Sequence, residues 1–159
     1  MCDAMYEDIA RAALTNMRWR FSTKQFQLNR LVNAPTGRFD SAYQLPADLL
    51  MLNALTVQDE PIVYDIYGDM AYCDANVSDV VIADYIFRAE EAYWPSYFVV
   101  AVEYAVAAVL ATSVARDQGL TQLMEGKANV LMMQARRLDS QQQTTRKLNT
   151  SRFIAQRRS

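Results

Sequence analysis

The sequence predicts an α+β fold in which an N-terminal helix and two long C-terminal helices form an antiparallel bundle, with a small antiparallel β region inserted and an extended C-terminal arm. Apolar residues recur at helical spacing near the start and again beyond position 95. Short β-branched and aromatic runs, separated by turn residues, lie between them. With 159 residues, 52% of them hydrophobic, the chain can bury a core as one domain.

The first helix is expected from Asp3 to Met17. Its early acidic residues suit the positive end of a helix dipole, and Glu7 and Arg11 can pair one turn apart. The apolar stripe that predicts it consists of Met5, Ile9, Ala12, Ala13 and Met17.

The β region is expected at about 24–87. Phe26 and Leu28 alternate with polar residues, which indicates a strand with one solvent-facing side. Gly68-Asp69 fits a two-residue hairpin turn. Further strands are predicted at Leu49 to Val57, Ile62 to Tyr67, Met70 to Cys73 and Val80 to Phe87.

Two long helices should complete the body. Pro95 opens the first, and Gly119 is the expected break before the second, which runs to about Asp139. The stretch from Pro95 to Ala115 approaches the length of a membrane span, but Glu103 lies at its middle. A buried helix packed on both sides is therefore the prediction, and no membrane partner is expected.

The charge divides the chain into a body, 1–141, and a flexible basic C-terminal arm, 142–159. The arm has five basic residues and no acidic one, whereas the body has 11 basic and 18 acidic residues, a net charge of −7. Such an arm suits nucleic acid or an acidic protein surface, and a merely solvated end is the alternative. Within it, Phe153 and Ile154 resemble anchors for a protein groove.

Several kinds of chemistry are disfavoured. Histidine is absent, the four glycines form no phosphate loop, and Cys2 and Cys73 match no metal or redox spacing, so two reduced thiols are expected. A series of aspartates is too irregular for an EF-hand and indicates a solvated surface; it comprises Asp65, Asp69, Asp74, Asp79 and Asp84. We expect no catalytic, cofactor-binding or metal-binding residues, and no secretory leader is visible.

The aromatic residues among the strands invite comparison with base-stacking platforms. Those platforms also need interleaved basic residues to hold phosphate, and the neighbours here are mostly acidic. Core and subunit-contact roles are therefore preferred, and the arm is the only plausible nucleic-acid contact.

An ordered series of landmark residues carries a family resemblance. The series comprises Trp19, Phe21 and Lys24, then Leu45, Pro46 and Asp48 within Leu45-Pro46-Ala47-Asp48, then Tyr85, Trp94 and Pro95 before an alanine-rich helix. From about Asp3 to Asp139 the chain resembles the tail tubular protein A family, the head-to-tail adaptors of short-tailed bacteriophages. Members usually carry more sequence before the first helix than this chain does.

The resemblance implies a non-enzymatic virion protein, assembled in the host cytoplasm. It implies a ring, typically of twelve copies, between the portal protein and the tail nozzle protein, with DNA passing through without sequence-specific binding. It also implies that the arm reaches the portal. The arm residues expected to bind there are Arg146, Lys147, Leu148, Arg152, Phe153, Ile154, Arg157 and Arg158.

Two other functions remain open from the residues alone. A small DNA-binding packaging factor would grip duplex with the basic arm, although no recognition element can be placed. A small enzyme would use clustered carboxylates and a metal ion, although no compact acidic motif is present.

Overall fold

The computed structural model describes residues 2–32 and 37–142. Within these ranges the chain forms three α-helices and seven strands. The helices are α1 (Cys2–Thr15), α2 (Ser96–Leu110) and α3 (Gln118–Gln141). The strands are β1 (Thr23–Gln27), β2 (Ser41–Gln44), β3 (Leu49–Val57), β4 (Glu60–Pro61), β5 (Tyr64–Tyr67), β6 (Met70–Cys73) and β7 (Val81–Phe87).

The strands form two antiparallel sheets, one with the order β1-β7-β3-β4 and the other with the order β2-β6-β5. Along β7, Val81, Ala83 and Tyr85 alternate inward, as expected for a strand with one buried face. They share a core with Ala71 and Cys73 of β6. The two sheets therefore bury their apolar side chains against each other.

The β5–β6 hairpin confirms the predicted turn. Gly68 has a φ of 64°, a conformation that glycine adopts without steric cost. Tyr67 then pairs with Met70 across the turn. Strands β3, β6 and β7 also match their predicted ranges closely, whereas β2 was not predicted.

A second core joins the helices to the strands. Ala10, Ala13 and Leu14 of α1 pack with Trp19 and with Phe98 of α2. Phe87 at the end of β7 packs against both cores. We call this region the joint, because residues from α1, the strand ends, α2 and α3 meet there.

Helices α2 and α3 form an antiparallel pair. Tyr97 contacts Asp139 near one end of the pair and Thr112 contacts Thr121 near the other. The predicted break at Gly119 is wrong, since Gly119 lies within the first turn of α3. The chain instead reverses at Arg116, which has a left-handed φ of 51°, and Asp117 caps α3 by accepting from the Leu120 backbone N–H.

The predicted architecture, a three-helix bundle with a small inserted β region, is wrong. The strands form two central sheets and the two long helices pair at the C-terminal side. Helix α1 does not complete a three-helix bundle. Its buried face packs into the joint and does not extend along both long helices. Periodicity predicted the helices but could not predict what their apolar faces would contact.

The expectation that the helix after Pro95 is packed on both sides is also wrong for the described chain. By length and composition, the helical stretch Ser96–Ala115 could cross a membrane. Only 28% of its most apolar segment is buried in the structure. A large part of this apolar helix is therefore uncovered by the described residues.

Candidate functional site

Four aromatic side chains form a cluster of contacting rings within the joint, and three of them are landmark residues. The ring of Phe98 lies 5.0 Å from that of Trp19, 4.9 Å from that of Phe21 and 4.9 Å from that of Trp94. Both indoles donate to backbone carbonyls, Trp19 to Ala13 and Trp94 to Ala89. Their polar atoms are thus satisfied inside the chain, so these landmark residues fix the joint, and of the three Trp94 also lines an apolar surface groove.

Three further landmark residues meet at the edge of the first sheet. The Nζ of Lys24 lies 2.5 Å from a carboxylate oxygen of Asp48, and the Tyr85 hydroxyl donates to the other oxygen at 3.1 Å. Lys24 also lies over the ring of Phe87, 4.4 Å from its centroid. The pairing of β1 with β7 places Lys24 opposite Tyr85, which explains how residues far apart in sequence come together.

The electrostatics of this cluster are those of a satisfied ion pair. Burial raises the pKa of Asp48, but hydrogen bonds from Lys24 and Tyr85 outweigh it and bring the pKa below its ordinary value. The hydrogen bond to Asp48 raises the pKa of Lys24. Burial, then the bond to Asp48, raises the pKa of Tyr85. All three groups keep their usual charges at neutral pH, and none is poised for proton transfer.

The remaining landmark residues shape the backbone. Leu45 is buried, and its N–H donates to the Asp69 carbonyl. The Pro46 carbonyl accepts from the Leu49 N–H, which turns the chain into β3. Pro95 precedes α2, where its missing N–H leaves no helical bond unmade. These positions set chain direction.

An arginine that the sequence did not single out ties α1 to the joint. Arg88 donates two hydrogen bonds to Glu7, at 3.0 and 2.9 Å, and a third to Glu91. Its guanidinium also stacks over Trp94. Hydrogen bonds from Arg88 and Arg11 lower the pKa of Glu7 to about 2. The predicted Glu7–Arg11 pair is confirmed at 2.8 Å, as one part of this larger network.

A buried carboxylate anchors the end of α3. Asp139 is 2% exposed, accepts from the Arg20 backbone N–H at 3.2 Å and accepts from the Tyr97 hydroxyl at 3.0 Å. Burial, followed by the bond to Asp139, raises the pKa of Tyr97 to about 12. A polar cavity of about 590 Å³ adjoins Asp139 and is also lined by Arg18 and Arg20. Asp139 has both its oxygens in use, so it serves as a structural acceptor.

The aspartates of the β region are dispersed. Asp69 accepts from Gln44, Asp74 from the Asp40 N–H, and Asp79 from Asn76, while Asp84 pairs with Arg18. Among the described residues, no group of three or more cysteines and carboxylates could hold a metal ion. Residues 37–87 nevertheless contain nine acidic residues and one basic residue, a net charge of −8. The β region is therefore a source of negative potential.

The outward side of α3 carries a second apolar stripe. Ala128, Ala135 and Asp139 are buried against the rest of the chain. On the opposite side lie Leu123, Val130 and Met133, which are 52%, 49% and 52% exposed, together with Gly126. We call Leu123, Gly126, Val130 and Met133 the α3 ridge. Their spacing of three, four and three residues is that of a helix face built to contact another helix.

An apolar groove lies between α1 and α2. It has a volume of about 440 Å³ and is lined by Tyr6, Trp94, Val99, Val102, Val106 and Leu110, with Glu91 and Glu103 at its margin. We call this the α1–α2 groove. Together with the α3 ridge it makes the helical side of the molecule unusually apolar for a surface.

The ridge, the groove and the predicted arm residues differ in how far the sequence alone reveals them. The spacing of the ridge residues by three and four is visible in the sequence, but the sequence does not show that this side of α3 stays exposed. The groove cannot be recognised in the sequence, because it depends on how α1 crosses α2 in the fold. The predicted arm residues, from Arg146 to Arg158, lie outside the described residues.

Comparison with known proteins gave no match to a family model and no match to a curated protein sequence.

Proposed function

We propose that this chain is a non-enzymatic structural subunit, the head-to-tail adaptor of a short-tailed phage virion. Copies would form a ring, of twelve by the family resemblance, between the portal protein and the tail nozzle protein. The observation that carries the proposal is the exposed apolar area of the α2–α3 pair and the α1–α2 groove. Surfaces of this kind mark protein contact sites, and a subunit of an assembly has them.

The landmark residues support the proposal through their positions. Trp19, Phe21 and Trp94 pack together in the joint, and Lys24, Asp48 and Tyr85 form one ion-pair cluster beside it. Residues that jointly fix one piece of tertiary structure are a sounder basis for a resemblance than isolated short motifs. The resemblance therefore rests on residues that pack the joint, form the ion-pair cluster or set the chain direction.

The charge of the β region suits passage of DNA. Residues 37–87 within it carry a net charge of −8, which repels phosphates, so a channel wall built from them lets DNA slide, whereas a basic wall would hold the duplex. The same charge disfavours the alternative, a packaging factor that grips DNA through its body. In that alternative the basic arm alone would bind DNA.

The arm provides the main test. We expect deletion of 146–159 to leave the body folded but to prevent its attachment to the portal ring, because the deleted residues hold all five basic side chains of the arm together with Leu148, Phe153 and Ile154. Mass photometry of the chain mixed with purified portal measures attachment, and circular dichroism checks the fold. We expect the full chain alone to be monomeric or weakly associated, because ring contacts depend on mass action.

A matched variant separates the charge of the arm from its apolar anchors. Phe153→Ser with Ile154→Ser keeps all five cations and should still lose portal attachment. Attachment that survives deletion of the arm would remove the arm from the mechanism. Salt-sensitive duplex binding that disappears with the arm, without any portal attachment, would instead favour the packaging factor.

A further inference from the structure

We infer that the α3 ridge of one copy packs into the α1–α2 groove of a second copy of this chain, in antiparallel orientation to α2. This inference deepens the proposed function, since it names the surfaces through which a ring would form. It rests on three features of the described residues: matching length, complementary charge and the presence of both surfaces on one chain.

The ridge and the groove match in length and in apolar character. From Leu123 to Met133 the ridge spans about 15 Å, and from Val99 to Leu110 the groove wall spans about 16 Å, at 1.5 Å per helical residue. Gly126 has no neighbouring atom within 4 Å of where a side chain would begin. A helix with a glycine at the centre of its contact face can approach another helix closely.

The charges of the two surfaces are opposite. Glu91 and Glu103 lie at the groove. Lys127 flanks the ridge and Arg137 continues it one turn beyond Met133. Among the described residues, Glu103, Lys127 and Arg137 form no ion pair within the chain. Lys127 lies over the ring of Tyr104, 5.7 Å from its centroid, and contact between copies would add a carboxylate partner for it.

The charge pattern also selects the orientation. When the ridge lies antiparallel to α2, Lys127 comes within about one turn of Glu103 and Arg137 lies at the end that carries Glu91. In a parallel arrangement Arg137 would extend past Leu110, where the groove has no carboxylate. The antiparallel arrangement therefore brings a cation near both groove carboxylates, of which Glu91 already pairs with Arg88 within the chain, and the parallel arrangement brings one near Glu103 alone.

A second copy fits better than an unrelated partner because both surfaces, with their opposite charges, occur on the same chain. The ridge lies on the side of α3 away from Ala128 and Ala135 and borders Val100 and Tyr104 of α2, and the groove lies between α1 and α2. Such head-to-tail contact makes a closed ring when the rotation closes, and a filament otherwise.

Disulfide trapping tests the contact even when association is weak. In a Cys2→Ser background, we mix full-length Val106→Cys protein with full-length Gly126→Cys protein under mild oxidation. The antiparallel register places these positions opposite each other, so cross-linked heterodimers should dominate. Glu125→Cys is the matched control, because position 125 neighbours 126 but lies on another side of α3, and it should give at least about tenfold less heterodimer. Absence of the 106–126 cross-link, or a dominant 126–126 homodimer, overturns the inference.

A charge exchange provides an independent test by sedimentation velocity of full-length protein over a range of concentrations. Glu103→Lys and Lys127→Glu should each weaken self-association about tenfold or more. An equimolar mixture of the two variants should regain self-association. When the two variants alternate in the assembly, each ridge meets a groove of opposite charge. Glu125→Lys, an exposed change outside the ridge, should leave association unchanged. A mixture that stays as weak as the single variants overturns the inference.

Two further outcomes separate this inference from the proposed function. Trapping at 106–126 without attachment to portal would uphold the contact and remove the adaptor role. Portal attachment without a 106–126 cross-link would uphold the adaptor role and overturn the inferred contact. Binding of the full chain to vesicles of neutral and anionic phospholipid, abolished by Val100→Asp with Leu110→Asp, would assign the apolar face to a membrane and overturn the inference.

Discussion

The β region and the α2–α3 pair arrange their apolar residues differently. Strands of both sheets turn Leu55, Ala71 and Ala83 inward to a shared core, and the exterior of residues 37–87 is strongly acidic. The helical pair buries small residues such as Ala101 and Ala135 and leaves larger ones, such as Leu123, exposed. Both regions leave large apolar side chains exposed, but those of the β region, such as Val63, Ile66 and Val77, lie among acidic residues, whereas those of α3 include the α3 ridge. Stability and assembly should be separable by mutation.

The largest expected effect contrasts the two regions directly. Leu55→Ala removes a fully buried side chain from the β core and should lower the free energy of unfolding by about 2–5 kcal/mol. Leu123→Ala makes the same chemical change on the ridge and should alter monomer stability by no more than about 0.5 kcal/mol, while weakening association. Urea unfolding followed by circular dichroism measures the first effect and sedimentation the second. Similar stability losses in both variants would abolish the distinction between the regions.

An intermediate effect is expected where the two regions are joined. Asp139→Ala leaves the Arg20 N–H and the Tyr97 hydroxyl without their acceptor, and should cost about 2 kcal/mol of unfolding free energy. Asp139→Asn retains an acceptor oxygen and should cost less. Ser140→Ala, at the exposed neighbouring position, is the control for a change in this helical turn. An Asp139→Ala protein as stable as wild type would mean that α3 is held to the rest of the chain by apolar contacts alone.

The smallest expected effect is a dependence on pH at the α1 contact. Arg88 and Arg11 lower the pKa of Glu7 from 4.5 to about 2 in the folded chain. A carboxyl with a lowered folded pKa contributes stability that is fully present above its unfolded pKa and is lost as pH falls to the folded value. The difference in unfolding free energy between wild type and Glu7→Gln should therefore be constant above about pH 5 and shrink between about pH 4.5 and pH 2.

Solvent screening keeps that difference small, since the Glu7 side chain is 35% exposed. Asp8→Asn, at the exposed adjacent position, is the matched control and should track wild type over the same range. A wild-type minus Glu7→Gln difference that stays flat down to pH 2 would contradict the role of the Arg88 network. Urea midpoints collected at half-unit pH steps provide the measurement.

The predicted and observed elements agree where a local signal is strong. The β5–β6 hairpin was predicted because Gly68-Asp69 and its flanking residues suffice to set the turn. Strand β2 was missed because Ser41, Ala42 and Tyr43 are all buried, so no alternation of apolar and polar residues marks it. Gly119 was mistaken for the helix break because glycine is a common terminator, whereas Asp117 had the stronger capping chemistry.

The sequence by itself determined the helices, most of the strands, the strong acidity of residues 37–87 and the basic character of the arm, because each depends on residues close together in the chain. Only the tertiary structure decided that the strands form two sheets sharing a core, that Lys24 meets Asp48 and Tyr85, and that Arg88 holds α1. It also decided which side of α3 stays exposed. These features depend on contacts between distant segments, and local propensity and periodicity carry no information about which distant segment an apolar face will meet.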